Sequence, residues 1–267
     1  MQNKVVVITG ASSGIGKALA EEYASKGFNL VLAARRIERL KELEEKLSNV
    51  EVLSVKTDVT IESDCKNLVD SVVKKFGKID ILINNAGISM RASTINVDMN
   101  VIRKVMDVNF WGTVYCTKFA LPYLLASKGS LVGVMSIGGY VGLPARSGYS
   151  ASKFAMRGFL DSVRVEHRRS GLHVLIAAPG FTTSEIRKSA LIADGSQQGD
   201  TPRDENKMMS AEECARRIYN AVEKRRRKLI LTFIQGKATV LVAKLWADLV
   251  DGFIYRTFAK EPDSPLK

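Results

Sequence analysis

Short apolar runs alternate with helical patterns along most of this 267-residue chain. Each run is rich in β-branched residues and ends at turn residues, and roughly ten or more residues with helical periodicity follow it. This alternation predicts parallel strands whose connecting helices cover both faces of one sheet, which is the α/β class. The predicted strands are 5–9, 28–33, 50–55, 79–83, 130–135, 172–178 and 229–234. We expect residues 1–235 to form one domain around this sheet.

The net charge of +12 raises the question of an anionic partner. The sharpest basic run is 224–228, and Arg216 and Arg217 precede it. No zinc-finger spacing, RNP aromatic pattern or basic heptad accompanies this run, so we expect no nucleic-acid partner. We interpret the run as a solvated helix end, with contact to anionic lipid or to a phosphorylated ligand as the alternative.

The three cysteines, Cys65, Cys116 and Cys214, are odd in number and far apart. Their spacing predicts neither a disulfide framework nor a metal site, and we interpret them as reduced thiols. The strand-like run 5–8 begins too early and ends too soon for a signal peptide, and no apolar stretch has the length of a spanning helix. The sequence therefore predicts a cytoplasmic protein without a metal.

A glycine-rich turn connects the first strand to the first helix. Backbone N–H groups at such a turn, together with the positive end of the helix dipole, can bind a pyrophosphate, and missing side chains let it approach. The spacing GxxxGxG departs from the commoner GxGxxG fingerprint of dinucleotide-binding folds. The residues assigned here to cofactor binding are Gly10, Ser12, Ser13, Gly14, Ile15 and Gly16.

Two arginines follow the second strand, at the corner where dinucleotide folds meet the adenosine ribose. A carboxylate at this corner accepts a hydrogen bond from a free 2′-OH, whereas arginine suits a 2′-phosphate. This chain has Arg35 and Arg36 there and no acid, which favours NADP(H) over NAD(H). The alternative is that both arginines only begin the charged helix that follows.

Two further loops follow the third and fourth strands, at the edge where parallel sheets bind ligands. The first loop begins with Asp58 and Val59, where adenine would lie. The second loop starts with two asparagines, which could form an ordinary turn but at this edge favour a cofactor-binding or structural hydrogen-bonding role. The cofactor-binding residues predicted in these loops are Asp58, Val59, Asn85, Ala86 and Gly87.

Tyr149 and Lys153 are the candidate catalytic pair. If residues 146–170 form one helix, the two side chains lie four residues apart on one face, with the phenol and the ammonium as neighbours. A nearby cation favours the phenolate, so we expect Lys153 to lower the pKa of Tyr149 toward the range of a general acid or base. Ser136, at the end of the fifth strand, would hold a substrate oxygen beside the phenol.

A long helical pattern from about 98 to 127 is interrupted near 108–112. Asn109 is an amide within this apolar interruption, and a buried amide without hydrogen-bond partners costs a few kcal/mol. We therefore expect Asn109 to hydrogen bond a water molecule or the backbone of a helix kink.

Together these motifs resemble the short-chain dehydrogenases/reductases, over about residues 4 to 235. The matching elements are the glycine-rich turn after Thr9, Asp58-Val59, Asn84-Asn85-Ala86-Gly87, Asn109, Ser136, the Tyr149 and Lys153 pair, and Pro179-Gly180. The resemblance implies a Rossmann-like, doubly wound sheet of seven parallel strands and a nicotinamide cofactor.

The same resemblance implies a catalytic tetrad of Asn109, Ser136, Tyr149 and Lys153. In it, Tyr149 transfers the proton, Lys153 lowers the tyrosine pKa and holds the nicotinamide ribose, and Ser136 positions the substrate oxygen. Asn109 holds a water that links Lys153 to solvent. Tyr149 and Lys153 thus also count among the cofactor-binding residues, as do Pro179, Gly180 and Thr182.

Two positions depart from the family pattern. The family often has a basic residue just before the second glycine, where this chain has Ser13, so an NADP(H) preference depends on Arg35 and Arg36. After Pro179-Gly180 the family often has a valine and a threonine. Here residues 181–184 supply several hydroxyls, and which of them meets the cofactor carboxamide stays open.

The region after Gly180 looks like that of membrane-associated reductases of lipid-like carbonyls, and it is also similar to hydroxysteroid and 3-ketosphinganine reductases. Residues 181–208 are polar and contain glycine, which predicts a mobile lid over the substrate. Met90, Tyr140, Val141 and Leu143 are the side chains that we expect to line an apolar pocket.

Residues 236–267 show helical spacing of apolar residues and form a predicted amphipathic C-terminal extension. It could pack on a neighbouring subunit, cap the substrate pocket, or lie on a membrane interface with Trp246 and Tyr255 at headgroup depth. The expected protein is an NADP(H)-dependent oxidoreductase of a small hydrophobic carbonyl substrate, assembled as a homodimer or homotetramer and in possible peripheral contact with a membrane. The alternative is a catalytically silent NADP(H)-binding regulator.

Overall fold

The computed structural model describes residues 4–201, 204, 208–243 and 245–266, and its centre is a seven-stranded parallel sheet. The strands are β1 (Val5–Thr9), β2 (Asn29–Ala34), β3 (Val52–Lys56), β4 (Ile81–Asn84), β5 (Ser130–Val134), β6 (His173–Ala178) and β7 (Lys228–Ile230). Their spatial order is β3-β2-β1-β4-β5-β6-β7. The strand order reverses between β1 and β4, so a ligand crevice forms at the carboxyl ends of the central strands. This confirms the predicted Rossmann-like α/β fold.

Helices connect successive strands and cover both faces of the sheet. They are α1 (Gly14–Ser25), α2 (Ile37–Lys46), α3 (Glu62–Phe76), α4 (Met99–Met106), α5 (Gly112–Ala126), α6 (Ser147–Glu166), α7 (Ala211–Glu223), α8 (Thr239–Val242) and α9 (Ala247–Ala259). One apolar core lies between the sheet and α3, α5 and α6, and a second lies between the sheet and α1, α2 and α7. Every residue of β1, β5 and β6 is buried, which is why these strands lack the alternation of apolar and polar residues that half-exposed strands have.

The predicted interruption of the long helix is confirmed. A π-helical turn, Asp107–Trp111, separates α4 from α5 without ending the helical rod. Such turns occur often at functional sites, because the extra residue moves side chains out of the regular helical positions. Asn109 is one of the residues in this turn.

The seventh strand is shorter than predicted. It ends at Ile230 rather than at residue 234, because the chain turns at Thr232, whose φ is +68°, and a π-helical segment begins at residue 233. The prediction of a strand over 231–234 was therefore wrong. The apolar sequence of that stretch is typical of a strand, but the backbone leaves the edge of the sheet there.

The basic run before β7 is partly structural. Arg225 donates hydrogen bonds to the carbonyl oxygens of Lys128 and Gly171, and the ammonium of Lys228 lies 4.3 Å from the centroid of the Tyr140 ring. Residues 224–228 are exposed just after the end of α7, as expected of a solvated helix end, but these contacts show that two of them also bind neighbouring parts of the chain.

The C-terminal extension packs one face on the domain. Val250, Ile254 and Phe258 of α9 are buried and belong to the same apolar core as residues of α3, α5 and α6. On the outward face, Leu249 and Phe253 are exposed. In the part of the chain that the structure describes, no helix has the length and apolarity to cross a membrane.

Candidate active site

One cavity of about 830 Å³ opens along the carboxyl ends of the central strands. Its volume is in the range of cofactor and ligand sites. The predicted residues on its wall are Gly10, Ser12, Ser13, Gly14, Ile15, Arg35, Arg36, Asp58, Val59, Asn85, Ala86, Gly87, Ser136, Tyr149, Lys153, Pro179, Gly180 and Thr182. Two predicted site residues, Gly16 and Asn109, lie behind the wall instead. The fold thus brings almost all of the predicted set together.

The glycine-rich turn depends on close backbone approach. Gly10 has φ +67°, and a Cβ there would stand 2.8 Å from the Cα of Ala86. A Cβ on Gly16 would stand 2.2 Å from the carbonyl oxygen of Gly10, so Gly16 closes the turn rather than facing the cavity. The first turn of α1 contains no acidic residue, so no side chain offsets the positive end of its dipole. A pyrophosphate fits this site, where the turn lets a ligand approach the backbone and the start of α1 carries the positive end of the helix dipole.

Asn85 joins the ends of β1 and β4. Its side-chain amide donates to the carbonyl oxygens of Thr9, at 2.9 Å, and Gly10, at 3.3 Å. In return, the Thr9 hydroxyl accepts from the backbone N–H groups of Asn85 and Ala86, both at 3.0 Å. The asparagine loop therefore has the structural hydrogen-bonding role that its position favoured, and it fixes the glycine-rich turn against β4.

The corner formed by Arg35 and Arg36 contains two residues that were not predicted from the sequence, Arg39 and Glu185. Arg36 donates to the hydroxyls of Ser12, at 3.1 Å, and Ser13, at 3.0 Å. Glu185, in the predicted lid, pairs with Arg36 at 3.3 Å and with Arg39 at 3.1 Å, and these arginines hold the pKa of the Glu185 carboxyl below its usual range against the opposing effect of burial. Arg39 and Glu185 both line the cavity. Arg39 was detectable in the sequence, since it follows Arg36 by three residues on α2.

Tyr149 and Ser136 meet on the opposite wall. Tyr149 is 8% exposed and lies in the first turn of α6, with the Ser136 side chain near its phenol. Burial raises the pKa of Tyr149 above its usual 10.0, while the Ser136 hydroxyl and the Arg146 charge oppose this increase. The Ser136 hydroxyl accepts from Gly138 N–H at 3.1 Å, which fixes its position.

Lys153 lies beneath the tyrosine ring. It is 3% exposed, its ammonium donates to the Val134 carbonyl oxygen at 3.2 Å, and it lies 5.8 Å from the centroid of the Tyr149 ring. Burial lowers the pKa of Lys153 from its usual 10.5 to about 8. The prediction that Lys153 lowers the tyrosine pKa was wrong for this arrangement. The effect of burial, which raises the Tyr149 pKa, is the largest one, and the cation that opposes it is Arg146 rather than Lys153.

Asn109 organises the site from behind. Its side-chain oxygen accepts from Ile88 N–H at 2.9 Å, and its amide donates to the Ile88 carbonyl oxygen at 3.0 Å and to the Ser152 hydroxyl at 2.9 Å. A Cβ on Gly87 would come within 3.2 Å of the Asn109 oxygen and 3.5 Å of the Lys153 ammonium. The partners of the amide are therefore the Ile88 backbone and the Ser152 hydroxyl rather than the backbone of the helix kink, and Gly87 leaves space between Asn109 and Lys153.

The predicted apolar pocket is only partly correct. Leu143 lines the cavity, but Met90 is fully buried beside Leu191, to which it forms a bridge. The ring of Tyr140 lies against the Arg157 guanidinium, 4.2 Å from its centroid, and Val141 belongs to the main core. Sequence proximity to Ser136 placed Tyr140, Val141 and Leu143 in the right loop but could not give the directions of their side chains. The structure instead adds Ile186, Leu191 and Phe258 to the apolar wall.

The family model described as short chain dehydrogenase matches residues 4–194. This chain belongs to the short-chain dehydrogenase family. Membership makes it an oxidoreductase of the class that uses a nicotinamide dinucleotide.

Curated relatives match most of the chain. The "Dehydrogenase/reductase SDR family protein 7-like" of Dictyostelium discoideum is 34% identical over 97% of this chain and 82% of its own length. "11-beta-hydroxysteroid dehydrogenase 1A" of Arabidopsis thaliana is 38% identical over 85% of this chain and 68% of its own length. Steroid-type reductases are thus among the relatives, as the sequence motifs indicated.

Solved structures share the fold. A short-chain dehydrogenase/reductase from Burkholderia phymatum, in complex with NAD, superposes with a TM-score of 0.81 at 24% identity, over 94% of this chain and 95% of its own. An alcohol dehydrogenase from Thermococcus sibiricus, complexed with 5-hydroxy-NADP, superposes with a TM-score of 0.74 at 23% identity, over 85% of this chain and 93% of its own.

Proposed function

We propose that this chain is an NADP(H)-dependent oxidoreductase that interconverts an apolar ketone and a secondary alcohol. The observation that carries the proposal is one cavity with two chemically different ends. At one end, the buried Tyr149 lies beside Ser136, and at the other, Arg36 and Arg39 surround a carboxylate.

The cavity fits a phosphorylated dinucleotide. The glycine-rich turn and the start of α1 suit the pyrophosphate, while Arg36 and Arg39 suit a 2′-phosphate, which Glu185 imitates in the structure. Lys153 and Tyr149, at the far end, would hold the nicotinamide ribose. When bound, the nicotinamide supplies or accepts the hydride. The basis for preferring NADP(H) is that no acidic residue other than Glu185 pairs with these arginines among the described residues.

Tyr149 is the proposed proton donor in the direction of carbonyl reduction. Its raised pKa keeps the phenol protonated at neutral pH, and a general acid within hydrogen-bond reach typically contributes about 10²–10⁴-fold in rate. Ser136, which also lines the cavity, would hold the substrate oxygen beside the phenol. Lys153 carries its charge below a pH of about 8, so at neutral pH its ammonium would be available as a hydrogen-bond donor to the nicotinamide ribose.

The proposed substrate is a keto-lipid, sphingoid or steroid-like ketone. Leu143, Ile186, Leu191 and Phe258 give the cavity apolar lining near Tyr149. Relatives named as 11-beta-hydroxysteroid dehydrogenases support a bulky, apolar class of substrate.

The test has two stages. Fluorescence titration with NADPH and NADH should show tighter NADPH binding, and the bound protein should then reduce at least one steroid, keto-lipid or small ketone. Tyr149→Phe should abolish this turnover while NADPH binding stays within about twofold. Tighter NADH binding would refute the arginine assignment. NADPH binding without turnover on any ketone would favour the regulatory alternative.

We further propose a homo-oligomer built on α5 and α6. A continuous aromatic cluster is formed by Phe110 and Trp111 of the preceding π-helical turn, Tyr115 of α5 and Phe159 of α6, and Trp111 is 44% exposed. Exposed aromatic clusters of this kind are typical of subunit interfaces. Light scattering should give a dimer or tetramer, and Trp111→Lys should shift it toward the monomer. A monomeric wild type would contradict this proposal.

The outward face of the C-terminal extension supports peripheral contact of a cytoplasmic protein with an anionic membrane. Leu245, Trp246 and Leu249 are each more than 60% exposed, with basic Arg256 and Lys260 nearby in the chain. Apolar and aromatic side chains combined with basic ones suit a headgroup interface. Co-sedimentation with phosphatidylserine vesicles should exceed that with phosphatidylcholine vesicles, and equal, negligible sedimentation would contradict the contact.

A further inference from the structure

One wall of the cavity contains a buried hydroxyl that the proposed chemistry does not use. Ser89 lines the cavity and is 8% exposed. Within the described residues no group forms a hydrogen bond with its hydroxyl, and this oxygen is accessible to solvent rather than sealed in the core. A buried hydroxyl without a partner costs free energy, so such groups usually meet a water molecule or a ligand. Ser89 is therefore a candidate for contact with a bound molecule.

The backbone around Ser89 is fixed from two sides. The preceding residue, Ile88, is bonded to the Asn109 side chain through both its N–H group and its carbonyl oxygen. The carbonyl oxygen of Ser89 accepts a hydrogen bond from Leu191 N–H, at 2.9 Å, within the predicted lid. A rigid loop thus carries the hydroxyl, and a group that is already in place binds a ligand at a lower entropic cost.

The surroundings of Ser89 place it at the substrate end of the cavity. Met90, the next residue, belongs to one buried apolar cluster with Tyr149 and Leu191. Ile186 packs against this cluster, and it lines the cavity as Leu191 does. The Ser89 hydroxyl is therefore a polar group among apolar side chains, on the same side as Tyr149 and away from the arginine corner.

We propose that Ser89 is a specificity-determining residue, whose hydroxyl hydrogen bonds a second oxygen of the substrate, apart from the carbonyl oxygen that reacts. The inference rests on the proposed function, because it concerns the substrate of the same cavity. Ser136 would hold the reacting oxygen beside Tyr149, which leaves Ser89 for another group. A hydrocarbon tail would cover the Ser89 hydroxyl without replacing its hydrogen bond to water, whereas a carbonyl or hydroxyl oxygen would replace it. The substrate class narrows to apolar ketones that carry a second oxygen.

The experiment compares ketones with and without a second carbonyl group, bound to the full-length protein saturated with NADP⁺, which cannot reduce them. A flexible set consists of methyl hexyl ketone and its diketone derivatives, in which the two carbonyl groups stand at increasing separation. A rigid pair consists of androstanone and androstanedione. Equilibrium dialysis gives the dissociation constants. For at least one diketone, Ser89→Ala should lower the preference over the matching monoketone by about fivefold, as expected of one hydrogen bond between uncharged groups.

Two further variants and one further ligand make the result specific. Ser89→Thr keeps a hydroxyl at this position and should keep the preference for that diketone near the wild-type value. Ser48→Ala, the same change at an exposed position away from the cavity, should leave the preference unchanged. Fluorescence titration of Ser89→Ala with NADPH should give the wild-type affinity within about twofold, because the hydroxyl is assigned to the substrate and not to the cofactor.

A preference in Ser89→Ala that equals the wild-type value for every diketone would overturn the proposal, and so would an equal decrease in Ser48→Ala. Absence of binding for both sets of ketones would overturn it as well. A loss of NADPH affinity in Ser89→Ala as large as the loss for the diketone would assign the hydroxyl to the cofactor instead. Since binding is measured without turnover, these outcomes are independent of the proposed chemistry. Absence of ketone reduction by the wild type would count against the proposed function alone.

Discussion

Lys153 should make the folded protein unusually sensitive to pH in the alkaline range. Burial holds its pKa at about 8, against 10.5 for an ordinary lysine, which is a decrease of about 2.5 units. Between these two values the unfolded chain binds the proton that the folded chain has released, so the free energy of unfolding rises with pH. The Lys153 contribution is fully present above about 10.5 and is lost as the pH falls through about 8.

The magnitude follows from the pKa difference. One pKa unit corresponds to about 1.4 kcal/mol, so the whole difference amounts to about 3 kcal/mol, most of which develops between about pH 7 and about pH 10. Lys153→Met replaces the ammonium with an apolar group of similar length and cannot titrate. The wild type should therefore gain roughly 2 to 3 kcal/mol in unfolding free energy relative to Lys153→Met over this interval.

The assay is urea unfolding of both proteins at several pH values, followed by circular dichroism. Subtracting the two free energies removes the contributions of all other titrating groups, provided that m-values agree. Lys74→Met, at an exposed position on α3, is the matched control and should give a flat difference. Parallel pH profiles for the wild type and Lys153→Met would refute the reasoning, as would a wild type that loses stability relative to the variant.

Three further predictions concern the cofactor corner and His173. Glu185→Gln should tighten NADPH about threefold and leave NADH unchanged in fluorescence titrations, since it frees Arg36 and Arg39 from a competing carboxylate. Arg39→Gln should weaken NADPH by about tenfold or more with little effect on NADH, and equal losses for both cofactors would contradict a phosphate contact. Burial lowers the pKa of His173 below its usual 6.5, so below that pH the unfolded chain binds a proton more readily than the folded one and the free energy of unfolding falls. His173→Gln should therefore lose less thermal stability on acidification than the wild type, and an equal loss would contradict this.

Much of the framework could be predicted from local sequence. β1 and β6 are continuous β-branched or apolar runs, and the turn from Gly10 to Gly16 follows from glycine chemistry alone. The interruption near Asn109 was visible because a buried amide breaks an apolar helical pattern, and a π-helical turn occupies that place. In each case the determining interactions are within a few residues of one another.

The remainder depends on contacts between distant residues. Glu185 meets Arg36 across 149 positions, and Glu261 meets Arg146 across 115, so no local pattern announces either pair. The direction of the Tyr149 pKa was misjudged because helical spacing gives the distance to Lys153 but not the depth of burial, and burial is the larger effect. Features set by neighbouring residues could thus be predicted, whereas ion pairs between distant residues and the depth of burial could not.

The most direct test of the account follows deuterium from the cofactor to the product. The protein is incubated with a panel of apolar ketones and with NADPH deuterated at C4 in one or the other configuration, in separate reactions. With one of the two cofactors, the alcohol should carry one deuterium on the carbinol carbon, detected by mass spectrometry. Tyr149→Phe should slow this transfer by about 10²-fold or more while it binds NADPH as the wild type does. Absence of labelled alcohol with every ketone, or an undiminished transfer in Tyr149→Phe, would contradict the assignment of the cavity as an active site with Tyr149 as proton donor.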